Sequence, residues 1–414
     1  MTDIGTNSLK GLVVGLIVMS ASVDASFASD AARTSGPEPM EYVRLCDAYG
    51  AGFFYIPGTK SCLRLSGYIW TQTGAATRGT AATTGTAGTT SNSLYLGGNG
   101  WEQKLETRVD FDARTETELG TLRALLRLQS NWNGDGDGAL TADQAILQIG
   151  GLTMGYTESF WHESKDNGVS NWGSHSWQGL WYGYEQRALI GYTFKSGGLI
   201  AALALEDDAL AGNGYVPDIV GKIAYEANWG AVWARLAFDE SFDGSTYSAM
   251  PGIHAAGSNR GGWAASLGAQ INISNTPGSN LRLIGYWADG SSTYNAGSTT
   301  VEWAGFGNLY YGSEWSILAA YNHKFTDNFG VSIAAHYFKN LYYSGTDLVQ
   351  AVEGGRGTPD AWAAELSAIW YPFSNFEVRS ELHYDNIGSH EPGIGAVGDP
   401  AAAFSGYLRF TRHF

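Results

Sequence analysis

The chain lacks what a helical membrane protein needs. After residue 28 no stretch approaches the roughly 18 uninterrupted apolar residues of a spanning helix. Basic residues are scarce. The 24 Lys and Arg against 40 Asp and Glu leave a formal charge of −16, which argues against a nucleic-acid partner, because phosphate backbones require a basic face. No Pro-rich or charged linker divides the chain into soluble domains. Catalytic signatures are missing too. There is no G-x-S-x-G elbow, no phosphate-binding loop and no usual nucleophile pairing, so neither an enzyme nor a cofactor is expected. His162, Glu163 and His175 do not fit H-E-x-x-H spacing, so no metal centre is expected. The stretch NGDGDGALTAD, 133–143, begins like a calcium loop at Asp135 and Asp137 but has no closing glutamate, which leaves weak calcium binding at an outer turn open.

Cysteine is nearly absent, with Cys46 and Cys62 alone. In an exported chain an even pair points to a disulfide. The alternative is two free thiols or a metal pair, but nothing nearby offers further ligands. Export is indicated by the start of the chain: Lys10, a short apolar run over 11–19, then Ala25-Ser26-Phe27-Ala28. That order predicts a signal peptide over 1–28, an N-terminal segment over 29–62 and the main body over 63–414.

What the chain does have is glycine and aromatic residues: 56 Gly, 15 Trp and 23 Tyr. That balance suits many strands, many turns and aromatic belts at a membrane interface. The chain ends on Phe414, closing the run FSGYLRFTRHF. Phe404, Leu408, Phe410 and Phe414 share one face of a period-2 strand, and Ser405, Tyr407, Arg409, Thr411 and His413 share the other. Arg412 breaks the apolar face near the strand end, where it is expected to snorkel to head groups.

The segment WEQKLETRVDFDAR, 101–114, is the clearest strand. Glu102, Lys104, Glu106, Arg108, Asp110, Asp112 and Arg114 alternate without exception, and a dry core could not hold such a face. About 16 segments of this kind are predicted, a count that follows from period-2 alternation. Long and short connections alternate strictly between them. Short turns at one end and long loops at the other characterise a transmembrane antiparallel β-barrel, and an even strand number puts both termini on the short-turn, periplasmic side.

EYVRLCDAYGAGFFYIPGTKSCLRLSGY, 41–68, resembles the start of the general porins of alphaproteobacteria such as the rhizobia and Brucella. The family's turn SETELGTL stands here as TETELGTL, 115–122, and its IQLGGL as LQIGGL, 147–152. Its ending R-F-x-R-x-F appears as Arg409, Phe410, Arg412 and Phe414. The resemblance implies a 16-stranded barrel in the bacterial outer membrane, a homotrimer among lipid and lipopolysaccharide, and passive diffusion of small hydrophilic solutes. It also implies that the third long loop, 158–186, folds into the pore. Glu158, Glu163, Lys165 and Asp166 of that loop are then the expected loop side of a constriction, its acids facing a basic wall. Arg108, Arg123 and Arg127 are the expected basic wall, with Arg64 and Lys104 behind. Two other functions compete. Trp161, Trp172, Trp177 and Trp181 could form an aromatic track in a sugar-selective channel, and the long outer loops could serve a structural or adhesive surface protein.

Overall fold

Residues that alternate apolar and polar for ten or more positions can satisfy both faces only if one meets lipid and the other meets water or a polar interior. The computed structural model resolves this pattern into one closed ring. It describes residues 44–78, 100–133, 138–161, 186–207, 216–239, 262–288, 294, 310–343, 360–387 and 401–414. Leu45–Phe414 forms one compact unit. The proposed leader, 1–28, lies outside the described residues.

A short strand β1 (Phe53–Tyr55) precedes the ring. The first wall strands are β2 (Cys62–Arg78), β3 (Gly100–Thr117), β4 (Gly120–Asn133), β5 (Thr141–Ile149), β6 (Leu152–Glu158) and β7 (Gln186–Ser196). Next come β8 (Leu199–Asp207), β9 (Asp218–Ala227), β10 (Gly230–Asp239), β11 (Gly262–Asn272) and β12 (Asn280–Ala288). The last are β13 (Tyr310–Thr326), β14 (Phe329–Tyr343), β15 (Ala361–Phe373), β16 (Phe376–Ile387) and β17 (Ala401–His413). Each of β2–β17 pairs antiparallel with the next, and β17 returns to β2 from Ala403↔Arg78 to His413↔Tyr68. The result is a closed 16-stranded antiparallel barrel. Closure leaves no wall strand with an unpaired edge, as lipid demands.

Phe414 completes the seam. Its N–H donates to Gly67 O at 3.0 Å and its carbonyl accepts from Gly67 N at 3.0 Å. Any side chain at position 67 would put its Cβ 2.1 Å from the Arg108 carbonyl oxygen, which explains the glycine there. Arg412 departs from expectation. Its Nη1 donates to the carbonyls of Ser374 (3.1 Å) and Asn375 (3.2 Å), so it ties down the β15–β16 turn.

Turns are tight at one end, at 118–119, 150–151, 197–198, 228–229, 327–328 and 374–375, with a longer one at 273–279. The remaining connections join the opposite ends of the strands, and one of them, 134–140, is no longer than the turn at 273–279. β15 continues through Pro372, because a register shift between Trp370 and Phe373 removes the need for its missing N–H. The outer face carries a continuous aromatic belt near the long-loop end: Phe238, Trp263, Trp287, Trp315, Tyr337, Trp362, Tyr384 and Phe404, one from each strand from β10 to β17. Ring centroids stand 4.9 Å apart for Phe238–Trp263 and 4.6 Å for Tyr384–Phe404.

A disulfide joins Cys46 to Cys62 with Cα atoms 6.1 Å apart, so the expected pairing is present. It closes a hook in which β1 pairs with the start of β2, Phe53 opposite Arg64. Since β3 holds the other edge of β2, the hook occupies the edge that β17 leaves below Gly67.

Candidate functional site

The inward residues of β3 and β4 form a charged wall. Register sets Asp110 opposite Arg127 and Arg108 opposite Gln129, all on the inner face. Arg127 Nε donates to Asp110 Oδ1 at 2.7 Å, and Asp143 lies 3.7 Å from Arg127 and 3.9 Å from Arg108. Arg108 also donates to Gln129 Oε1 from Nε at 3.0 Å and Nη2 at 2.5 Å. Nearer the short turns, Arg123 grips Asp112 through Nε (2.9 Å) and Nη2 (3.0 Å). The three predicted arginines are thus brought together, but not as a bare basic patch. Each is held by a neighbouring carboxylate or amide, an arrangement that lets charge persist in a half-buried wall. Arg64 and Lys104 lie on the same inner face, in register with Asp112 and Gln72. Glu158 ends β6 at the base of the third long loop, whereas Glu163, Lys165 and Asp166 lie outside the described residues.

That loop begins by turning inward. Ser159 and Trp161 are fully buried and Phe160 nearly so, and the two aromatics join the inward apolar side chains of β7–β15. Glu206 at the end of β8 accepts from Ser159 Oγ (2.6 Å) and from the Phe160 N–H (2.9 Å). Arg235 on β10 donates to the Trp161 carbonyl, and its guanidinium lies over the Trp161 ring at 5.5 Å. The Phe160 ring sits where a side chain at Gly191 would be: a Cβ there would come within 2.8 Å of it. Tyr294, from the connection after β12, reaches the same point and donates its one hydroxyl proton between Asp218 Oδ2 (2.8 Å) and Glu206 Oε2 (3.2 Å). Burial first, then the two carboxylates, pushes the Tyr294 pKa well above its ordinary value, so the hydroxyl stays protonated and able to donate. None of Glu206, Asp218, Arg235 or Tyr294 stands out in sequence. The one signal is the acidic pair Glu206-Asp207 that ends the otherwise apolar strand LIAALALED.

Among the described residues one group of potential metal ligands comes together: Glu365, Glu381 and His383. Glu365 is directly opposite His383, and Glu381 lies two residues along β16. His383 Nε2 is 3.2 Å from Glu381 and Nδ1 is 3.9 Å from Glu365. One ring nitrogen faces each carboxylate, so the imidazole bridges the two acids.

A closed 16-stranded barrel with tight turns at one end, an aromatic belt and a charged inner wall defines an outer-membrane channel. The comparisons agree. A family model described as the porin subfamily matches residues 30–404, and the chain belongs to that family. It is 29% identical over 337 residues to the porin Omp2b of Brucella suis biovar 1, covering 73% of this chain and 81% of the relative. The porin Omp2b of Brucella melitensis biotype 1 is also 29% identical over 337 residues, covering 73% of this chain and 81% of the relative. Among solved structures, the outer membrane channel DcaP of Acinetobacter baumannii matches with a TM-score of 0.59 at 14% identity, covering 87% of this chain and 99% of that one. A loop L8 deletion mutant of OmpT from Vibrio cholerae gives 0.51 at 11% identity, covering 86% and 100%. These two share the fold. The protein is a porin of the bacterial outer membrane.

Proposed function

We propose that the protein admits small hydrophilic solutes and ions by passive diffusion, without catalysis, and that the third long loop sets the pore's narrowest point. The observation that carries this reading is the latch of Ser159–Trp161 onto the inner wall at Glu206 and Arg235. β10 lies seven strands on from β3 in a ring of sixteen, so the latch faces the arginine wall from nearly the far side. Glu163 follows Trp161 by two residues, within about 7 Å of chain reach. Glu158, Glu163, Lys165 and Asp166 are therefore the proposed loop side of the constriction, and Arg108, Arg123 and Arg127 the wall side. Opposed charge across a narrow aqueous gap orients dipolar solutes and biases ion entry. The excess of acidic residues favours a weak cation preference.

An aromatic sugar track receives less support, because Trp161 is fully buried against the wall. Trp172, Trp177 and Trp181 lie outside the described residues.

A homotrimer, embedded in lipid and lipopolysaccharide, is the proposed assembly. Support comes from the outer face of β2–β6. There the short-turn end is mostly aliphatic, with Leu65, Ala113, Leu122, Ala124, Leu147 and Met154 beside the single aromatic Phe111, where β13–β17 carry Phe325, Phe329, Trp370, Phe376 and Phe410. Thr71 and Gln103 hydrogen-bond at mid-height on the same face, a polar contact suited to a subunit neighbour.

The test is single-channel conductance in a planar bilayer under a salt gradient. Steps in threes with a cation-side reversal potential are expected. Folded protein that gave no steps would remove the diffusion reading and favour the surface role of the long loops. Glu163→Trp is expected to lower conductance, and unchanged conductance would take Glu163 out of the constriction.

A further inference from the structure

Three guanidinium groups converge on one carboxylate near the short-turn mouth. Asp112 accepts from Arg114 (Nε 3.0 Å, Nη2 2.8 Å) and from Arg123 (Nε 2.9 Å, Nη2 3.0 Å), and Arg64 Nη2 stands 3.5 Å away. Strand register enforces the crowding. Arg114 is directly opposite Arg123 on β4, and Arg64 on β2 is directly opposite Asp112. Like charges facing each other across a ladder repel, and a single carboxylate offsets only one of the three.

Among the described residues Asp112 is the one carboxylate within ion-pair distance of these three guanidiniums. Glu116 accepts the Thr121 hydroxyl at 3.0 Å and is in hydrogen-bond contact with Tyr49. Asp47 is exposed in the short helical turn of the hook. Gln148 accepts from Arg123 Nη1 at 2.8 Å. Arg64 Nε is buried and has no hydrogen-bond partner among the described residues.

The hook fixes this geometry. Phe53 is buried beside the Cys46–Cys62 disulfide, and the guanidiniums of Arg64 and Arg114 lie over its ring at 5.0 Å each. The Arg64, Arg114 and Arg123 side chains remain 38%, 25% and 25% exposed, so a solute can reach them. Arg114 lies three residues from the end of β3, roughly 10 Å along the strand from the short turn.

We propose that Arg64, Arg114 and Arg123 form a binding site for small oxyanions of the phosphate class at the short-turn mouth of the channel. Guanidinium forks match the oxygens of such anions, and two of the three positive charges are left without a carboxylate of their own. Anions entering from that end are held briefly beside the hook before crossing. This site lies on the short-turn side of the proposed constriction and shares Arg123 with its wall, and its effect on current rests on the channel reading.

The experiment is chloride current through channels inserted in one orientation, before and after inorganic phosphate is added to one side at millimolar concentration. Phosphate on the short-turn side is expected to reduce the current saturably, and more strongly than from the long-loop side. Arg64→Gln, which leaves Arg114 and Arg123 to hold Asp112, is expected to weaken the apparent affinity roughly three- to tenfold, the loss of one charge-assisted hydrogen bond at a partly exposed site. Lys324→Gln, near the end of β13 beside the 327–328 turn, is expected to keep the wild-type response. Equal block from both sides, or an Arg64→Gln affinity equal to wild type, would overturn the proposal. Arg64→Lys serves if the glutamine variant does not fold: it keeps the charge and loses the fork, so a several-fold loss supports the site and no change overturns it. A second readout needs no conduction. Phosphate is expected to raise the unfolding temperature of the detergent-solubilised wild-type protein and not that of the Arg64 variant; an equal rise in both would count against the site. A chloride current absent from the start would count against the channel reading instead.

Discussion

At the residue scale, Glu206 is the side chain on which most depends. It accepts from the loop root twice and from Tyr294 once, with almost no exposure to water. Glu206→Gln keeps the size and loses an acceptor, leaving one buried donor without a partner at a cost of about 1–3 kcal/mol. The expected outcome is a noisier open-channel current with little loss of barrel, read by current fluctuations alongside urea unfolding. Steady wild-type current from the folded variant would mean that the loop is positioned by Arg235 and apolar packing alone. The wall arginines make a different prediction. Removing Arg127 uncovers Asp110 and Asp143, so Arg127→Ser is expected to raise the cation-to-anion permeability ratio, on the order of twofold. A shift towards anions in the reversal potential would contradict that assignment.

At the scale of elements, the hook and the rim behave separately from the wall. The ring closes through β17 and β2 above Gly67, without help from β1. Replacing both cysteines by serine is therefore expected to leave the barrel closed and to cost roughly 3 kcal/mol for a loop of about 15 residues. A lowered denaturation midpoint with unchanged far-ultraviolet circular dichroism would show this. At the long-loop rim, Asp360 joins β14 to β15. Burial acts to raise its pKa, but hydrogen bonds from Lys339 Nζ (2.8 Å), Tyr337 OH (2.7 Å) and Asn340 N (3.1 Å) outweigh it and hold the carboxyl below the usual range. A depressed folded-state pKa stabilises at pH values above the unfolded carboxylate's and ceases to do so as pH falls through the folded value. Asp360→Asn is expected to reduce protection of the β14–β15 ladder at neutral pH and to make no difference in strong acid, measured by hydrogen exchange.

For the whole molecule, the mostly aliphatic outer face at the short-turn end of β2–β6 carries the assembly prediction. Ala124→Trp on β4 is expected to lower the temperature at which the oligomer separates on gels run without boiling. Leu267→Trp, on the belted lipid face of β11, is expected to leave it unchanged. Equal effects at the two sites would place the interface elsewhere.

The period-2 alternation, clearest in the seven charges over 102–114, and the recurring turns between such segments were enough to point to a closed barrel of about 16 strands in a membrane, because each is a local pattern repeated along the chain. The disulfide followed from cysteine count and compartment. The wall arginines were legible as inward positions for the same period-2 reason. Their partners were only half legible: Asp110 opposite Arg127 needed the register, which one residue of slip would have changed. Arg412 shows the limit well, since its acceptors are carbonyls nearly forty positions away in sequence. The latch of Glu206, Arg235 and Tyr294 on the loop root, and the convergence of Arg64, Arg114 and Arg123 on Asp112, were decided by the tertiary structure. Both join residues from three or more separate segments, and no periodicity within a segment records which other segment will stand beside it once the ring has closed.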